Sequence, residues 1–238
     1  MKVSIVLPTY NESGHIVKFI KAVQAAVKSH GEYEIFLVDD NSPDKTGHIV
    51  EEAFKKDKHV NVIIRENEKG LATAILTGIN KSKGTHILLM DSDFNHDPKY
   101  LKIFFSLAPF YDVVGGTRYR WGGDMKGARW RYVGSLIFNL FLAFVLMMKT
   151  SDNTSGFVLF RKSILKKMEI EKVFRGYGDM YIRFLYAAKL LKLTLAEIPV
   201  VYDFRASGES KTEFKKYIFV YTMEVFKTLF AGKKLIKK

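Results

Sequence analysis

Residues 86–98 read HILLMDSDFNHDP. An apolar run, His86 to Met90, stops abruptly at two aspartates one residue apart, Asp91 and Asp93, with Asn95 and Asp97 behind them. A short apolar run bounded by polar residues is the pattern of a strand buried on both faces. A turn accounts for one aspartate. A metal ion or a diphosphate accounts for the set, because hard cations take oxygen ligands. Asp97, immediately before Pro98, reads as a helix cap rather than a ligand.

Four more such runs lie in the first half: VSIVL (3–7), YEIFLV (33–38), VNVII (60–64) and DVVGG (112–116). Between the five runs, residues His15–Ser29, Thr46–Lys58, Leu71–Ser82 and Lys99–Ala108 place apolar side chains at three- and four-residue spacing, which predicts helices. Strands alternating with helices imply an α/β fold with a mostly parallel sheet flanked by helices. Ligands of such folds bind at the carboxyl ends of strands. Here those ends are Pro8-Thr9-Tyr10-Asn11-Glu12, then Asp39-Asp40-Asn41-Ser42-Pro43-Asp44, then Asp91-Ser92-Asp93. Neither G-x-G-x-x-G after the first strand nor G-x-x-x-x-G-K-[ST] anywhere supplies a phosphate cradle, so a divalent metal on Asp91 and Asp93 is expected to manage phosphate instead.

Beyond Thr117 the character changes. Residues 1–100 hold 13 Lys+Arg against 14 Asp+Glu, whereas residues 101–238 hold 25 against 11. The whole net charge of +13 thus belongs to the second part, which fits a solvated basic face or a surface that meets phosphates of lipid, substrate or nucleic acid. Residues 134–148, GSLIFNLFLAFVLMM, are about 15 residues of apolar sequence, short of the roughly 20 of a spanning helix, and suit a core helix or one lying on a bilayer surface. DNTSGFVLFRKSIL (152–165) predicts a turn, a strand and a helix start, residues 176–192 a helix, and residues 193–204 a strand broken at Pro199. The tail from Lys211 carries eight Lys and two Glu among aromatic and aliphatic residues, the composition of a basic amphipathic helix for a membrane surface or a partner. The expected organisation is a body over 1–210, divided near 116, followed by the tail 211–238. Cysteine is absent, which excludes disulfides and thiolate chemistry, and the N-terminus lacks the pattern of a signal peptide.

PTYNE (8–12), DDNSPD (39–44), the D-x-D at Asp91 and Asp93, TSGF (154–157) and R-x-x-G-E-S-K from Arg205 to Lys211 together resemble family 2 glycosyltransferases of the GT-A fold, and among them the dolichyl-phosphate mannose synthases and other polyprenyl-phosphate sugar synthases. The resemblance implies a metal-dependent, inverting transfer of mannose from GDP-mannose to dolichyl or polyprenyl phosphate on the cytoplasmic side of a membrane, by a peripheral protein with a possible membrane-protein partner. It implies Mg2+ or Mn2+ on Asp91, Asp93 and Asn95, the last standing where relatives carry glutamine. Pro8, Tyr10, Glu12, Asp39, Asp40 and Asp91 match donor contacts. Arg118, Arg131, Ser135, Arg205 and Lys211 match the acceptor-phosphate side.

The chemistry is consistent with this. A phosphate monoester has a second pKa near 6, so the nucleophile arrives ionised and needs cations more than a base. All six His fall at or before His96, while arginines, whose planar fork suits phosphate, follow the fifth strand. One departure stands out: where relatives carry Q-I-E or Q-M-E, the acid falls on Arg183, with Asp179 the nearest carboxylate, which leaves sugar choice open. UDP-glucose or another nucleotide sugar is the alternative donor. A catalytically inert member of the family and a basic nucleic-acid-binding protein are the remaining alternatives; the second predicts salt-sensitive binding and leaves the strand-end acids without a role.

Overall fold

The computed structural model describes residues 1–127, 129–203 and 214–237. Its first half alternates as the periodicity predicts: β1 (Lys2–Thr9), α1 (Ile16–Val27), β2 (Glu32–Asp39), α2 (Thr46–Ala53), β3 (Val60–Ile64), α3 (Leu71–Lys81), β4 (His86–Leu89), a 3-10 turn Pro98–Tyr100, α4 (Leu101–Leu107) and β5 (Val113–Thr117). Then come β6 (Asp124–Met125), α5 (Arg129–Leu146), β7 (Val158–Arg161), α6 (Ile170–Val173), α7 (Met180–Leu190), β8 (Leu195–Pro199), β9 (Val201–Tyr202) and α8 (Phe214–Ala231).

Seven strands form one sheet in the order β3-β2-β1-β4-β7-β5-β8. β1 to β4 run parallel, and β7 enters antiparallel between β4 and β5. Both faces are covered, so alternate residues of one strand reach different cores. Val6, Val38, Ile87 and Leu89 pack with α3, α5 and α7, while Ile5, Leu7, Ile35, Leu37 and Leu88 pack with α1 and α4. That is why the strands read as unbroken apolar runs. Asp97 is the expected cap: its side chain accepts the Lys99 N–H, with Pro98 at the first helical position.

The apolar run at 134–148 extends through Arg129–Val133 into an 18-residue helix, α5, long and apolar enough by length and composition to cross a membrane. This corrects the expectation that no segment reaches that length: five residues N-terminal to the run continue the helix and bring it to the short end of the spanning range. Only Asn139, Leu142 and Leu146 of α5 are fully buried. Phe144 is 84% exposed, with Trp130, Ile137 and Leu140 also outward. α8 packs on α5 through Phe226–Phe141 and Tyr221–Phe138 ring contacts. Its burial is inverted for a helix in water, since Glu224 and Thr228 face inward while Phe219, Met223 and Phe230 face out.

Candidate active site

The carboxyl ends of β1, β2 and β4 meet in one cleft of about 540 Å3, lined by Pro8, Thr9, Tyr10, Glu12, Asp40, Asp91, Ser92 and Asp93. Local hydrogen bonds explain why the motifs come as sets. Ser42 Oγ accepts the Asn11 N–H at 3.0 Å, Thr46 Oγ1 that of Glu12 at 2.9 Å, and Asp44 Oδ2 that of Ser13 at 3.0 Å. The residues after β2 thus hold the backbone of the loop after β1. His15 bridges that loop to the aspartates: its Nε2 lies 3.2 Å from the Ser92 carbonyl oxygen and 3.3 Å from Glu12 Oε2.

Asp39 and Asp40 divide their labour. Asp39 is buried, accepts the Ser42 N–H at 2.9 Å and the Ser42 hydroxyl, and shapes the turn rather than lining the cleft. Asp40 does line the cleft, with Oδ2 taking the Gly70 N–H at 2.7 Å and Oδ1 held by the buried Arg65, whose Nε donates at 2.7 Å. Gly70 has φ +138°, a backbone that side chains rarely adopt. It brings Lys69 and Leu71 to the cleft wall, and Lys69 Nζ sits 5.5 Å from the Tyr10 ring centroid. Sequence reading missed Arg65, Lys69 and Gly70. The turn-forming Gly70 was the available signal.

Asp91 and Asp93 both face the cleft. Asn95 donates its backbone N–H and its amide nitrogen to the two Asp93 oxygens, at 3.1 and 3.0 Å. His96 is buried; its Nδ1 accepts the Asp91 N–H at 2.7 Å. Its remaining proton, on Nε2, is donated to the Tyr202 hydroxyl at 2.8 Å, and that hydroxyl lies 2.8 Å from Ser155 Oγ. His96 also stacks on Phe157 at 4.8 Å. The D-x-D turn is therefore tied to the TSGF segment through three side chains. Among the described residues no group of three or more His, Asp or Glu converges as a closed metal cage. Two carboxylates at the mouth of a cleft instead fit an ion that completes its shell with substrate phosphate and water.

Of the residues expected to meet the acceptor phosphate, Arg118, Arg131 and Ser135 do not line this cleft; Arg118 Nε and Nη2 donate to Asp152 at 2.8 and 2.9 Å, and Nη2 also to Thr154 Oγ1 at 3.1 Å. Burial disfavours its charge, but the paired Asp152 outweighs this and raises its pKa. Thr154 reaches the cleft wall and also accepts from Asn139 Nδ2 at 3.1 Å. Ser135 Oγ accepts the Tyr119 hydroxyl at 2.7 Å; burial pushes the Tyr119 phenol up to about 12. Arg131 is exposed at the start of α5, its guanidinium 5.4 Å from the Trp130 ring. Arg205 and Lys211 lie outside the described residues.

An acidic pair beside a cleft, at the strand ends of a mostly parallel sheet flanked by helices, is the arrangement of the GT-A fold. The chain belongs to glycosyl transferase family 2, whose profile matches residues 4–169. It is 30% identical to a dolichol-phosphate mannosyltransferase of Pyrococcus furiosus over 96% of this chain and 64% of the relative, so it spans just under two thirds of that protein's length. It is 30% identical to a polyprenol monophosphomannose synthase of Mycolicibacterium smegmatis over 87% of this chain and 79% of the relative. The fold matches glucosyl-3-phosphoglycerate synthase of Mycobacterium tuberculosis, solved with Mn2+, UDP and glucosyl-3-phosphoglycerate, at a TM-score of 0.70 and 18% identity, over 100% of this chain and 81% of that one.

Proposed function

We propose that the protein transfers mannose from GDP-mannose to dolichyl or another polyprenyl phosphate at a membrane surface. The convergence of the loops after β1, β2 and β4 on one cleft carries this reading, and the mannosyltransferase relatives support it. Pro8, Tyr10, Glu12 and Asp40 hold the nucleoside. Asp91 and Asp93, with Asn95 beside them, hold Mg2+ or Mn2+, which when bound neutralises charge on the departing diphosphate. The acceptor phosphate, already ionised, needs orientation and positive charge. Arg131, exposed at the head of α5 with its guanidinium against the Trp130 ring, supplies both, together with Arg118 and Ser135; Arg205 and Lys211 complete the set. Attack on the anomeric carbon from the face opposite the diphosphate inverts it. The outward apolar faces of α5 and α8 support a cleft that works beside the lipid carrying the acceptor.

UDP-glucose as donor is the second reading, left open by Arg183 at the position where the resemblance puts an acid. The test is incubation of the purified protein with Mn2+, a polyprenyl phosphate, and labelled GDP-mannose or UDP-glucose. Mannolipid formed from GDP-mannose and lost with EDTA is expected. Glucolipid from UDP-glucose moves the sugar and keeps the mechanism; no glycolipid from either overturns the proposal.

A further inference from the structure

The cleft has a second end that no strand-end motif accounts for. Beyond Asp91 and Asp93 its wall is Thr154, Gly156, Tyr177, Gly178, Tyr181 and Tyr221. The first five come from the segments before β7 and around the start of α7. Tyr221 comes from α8, forty residues further on.

Arg183 explains how α8 is held there. It is 1% exposed and absent from the cleft lining. Its Nε donates to the Val173 carbonyl at 3.0 Å, Nη2 to the Arg175 carbonyl, and Nη1 to both Asp179 Oδ2 and Glu224 Oε1 at 2.6 Å. Asp179 lies four residues before it, at the N-cap of α7, whereas Glu224 lies on α8. A desolvated guanidinium that gives four of its five N–H groups to two carboxylates and two carbonyls has little freedom to turn. Arg175 Nη2 reinforces the same Glu224 oxygen at 3.1 Å. Tyr221 and Glu224 are three residues apart and share one face of α8, so the ion pair that seats Glu224 also sets Tyr221. Its hydroxyl fits against Gly178, where any Cβ would collide with it; its ring packs on Phe138.

We propose that Tyr221 is a contact for the donor's sugar, and that Arg183 and Glu224 are its positioning residues, so that the C-terminal helix forms part of the donor site. This rests on the donor reading above. A group joined to a diphosphate at Asp91 and Asp93 extends toward the tyrosine end, away from Pro8 and Asp40. An aromatic ring with a hydroxyl suits a sugar, offering an apolar face and a hydrogen-bonding edge.

Calorimetry on the full chain in Mn2+ tests this with GDP against GDP-mannose, and UDP against UDP-glucose. The unaltered protein is expected to bind one nucleotide sugar more tightly than its nucleoside diphosphate. Tyr221→Ala removes about tenfold of affinity for that sugar nucleotide and leaves the diphosphate unchanged. Tyr221→Phe, which keeps the ring and the fold, removes a smaller part of the same difference. Glu224→Gln shifts the sugar-dependent part alone, and Tyr221→Ala combined with Glu224→Gln is no worse than Tyr221→Ala, because both act on one contact. Equal losses for diphosphate and sugar nucleotide, additive losses in the double variant, or no effect of Tyr221→Ala would overturn the inference. Failure of the unaltered chain to bind any of the four nucleotides would instead overturn the donor reading beneath it.

Discussion

The backbone N–H of Asp91 donates to Nδ1 of His96 at 2.7 Å, so a buried imidazole holds the start of the turn that carries the paired aspartates. His96→Ala strands that N–H and leaves the Tyr202 hydroxyl with Ser155 alone. We expect a loss of about 1–3 kcal/mol in stability, read by urea denaturation, together with weakened Mn2+-dependent nucleotide binding. His96→Asn, which keeps an acceptor, should recover part of both. Unchanged binding in His96→Ala would show that the turn holds without the imidazole.

Asp93 accepts two hydrogen bonds from Asn95 and lines the cleft. Asp93→Ala should cost only about 1 kcal/mol of stability. Metal-dependent turnover should fall roughly a thousandfold, since several kcal/mol of leaving-group stabilisation goes with the ion. A manganese titration of activity decides the matter, and a full rate at ordinary Mn2+ would remove Asp93 from the ligand set.

Arg118 and Asp152 form a buried pair, with Asp152 side-chain exposure of 0%. Arg118→Met leaves a carboxylate uncompensated and should destabilise by about 3–5 kcal/mol. The double variant Arg118→Met with Asp152→Leu should regain much of that stability without regaining acceptor turnover. Thermal unfolding and lipid-acceptor kinetics, taken together, separate the pair's structural role from its catalytic one.

Arg131 stands exposed at the head of α5. Arg131→Ala should raise KM for polyprenyl phosphate by about 10- to 100-fold, the range of a lost charge-assisted hydrogen bond, with KM for the nucleotide sugar unmoved. Steady-state kinetics in both substrates gives the answer; equal shifts would take Arg131 away from the acceptor.

Asp44 accepts from the Ser13 and Thr46 backbone and from the Thr46 hydroxyl. Partial burial alone would raise its pKa, but these hydrogen bonds outweigh it and hold it below 3.8. A carboxylate depressed in the folded state contributes stability that is present above its unfolded pKa and lost as pH falls through the folded one. Urea midpoints should therefore drop below about pH 4. Asp44→Asn should flatten that acid limb and leave the neutral plateau lower; an identical limb in both proteins would absolve Asp44.

Much of the site was legible because its residues sit at strand ends. Pro8, Tyr10, Glu12, Asp40, Asp91 and Asp93 were expected together and share one cleft. Asp39, read as a donor contact, turned inward onto Ser42, since neighbouring residues at a strand end point opposite ways. Arg65, His96, Tyr181 and Tyr221 were not singled out, because a buried arginine or a helical tyrosine looks the same in sequence whether it faces a core or a ligand.

Periodicity and strand-end chemistry by themselves determined the α/β class, the order of the first five strands with their helices, and the place of the aspartates. Those features depend on residues close together in the chain, where side-chain alternation and turn chemistry act. Only the tertiary structure decided that β7 runs antiparallel between β4 and β5, that α8 turns its apolar side outward, and that Arg183 reaches across 41 residues to Glu224. Each of these is a pairing between distant segments, selected by whichever partner best satisfies a buried charge or an unpaired strand edge, and local sequence carries no record of that choice.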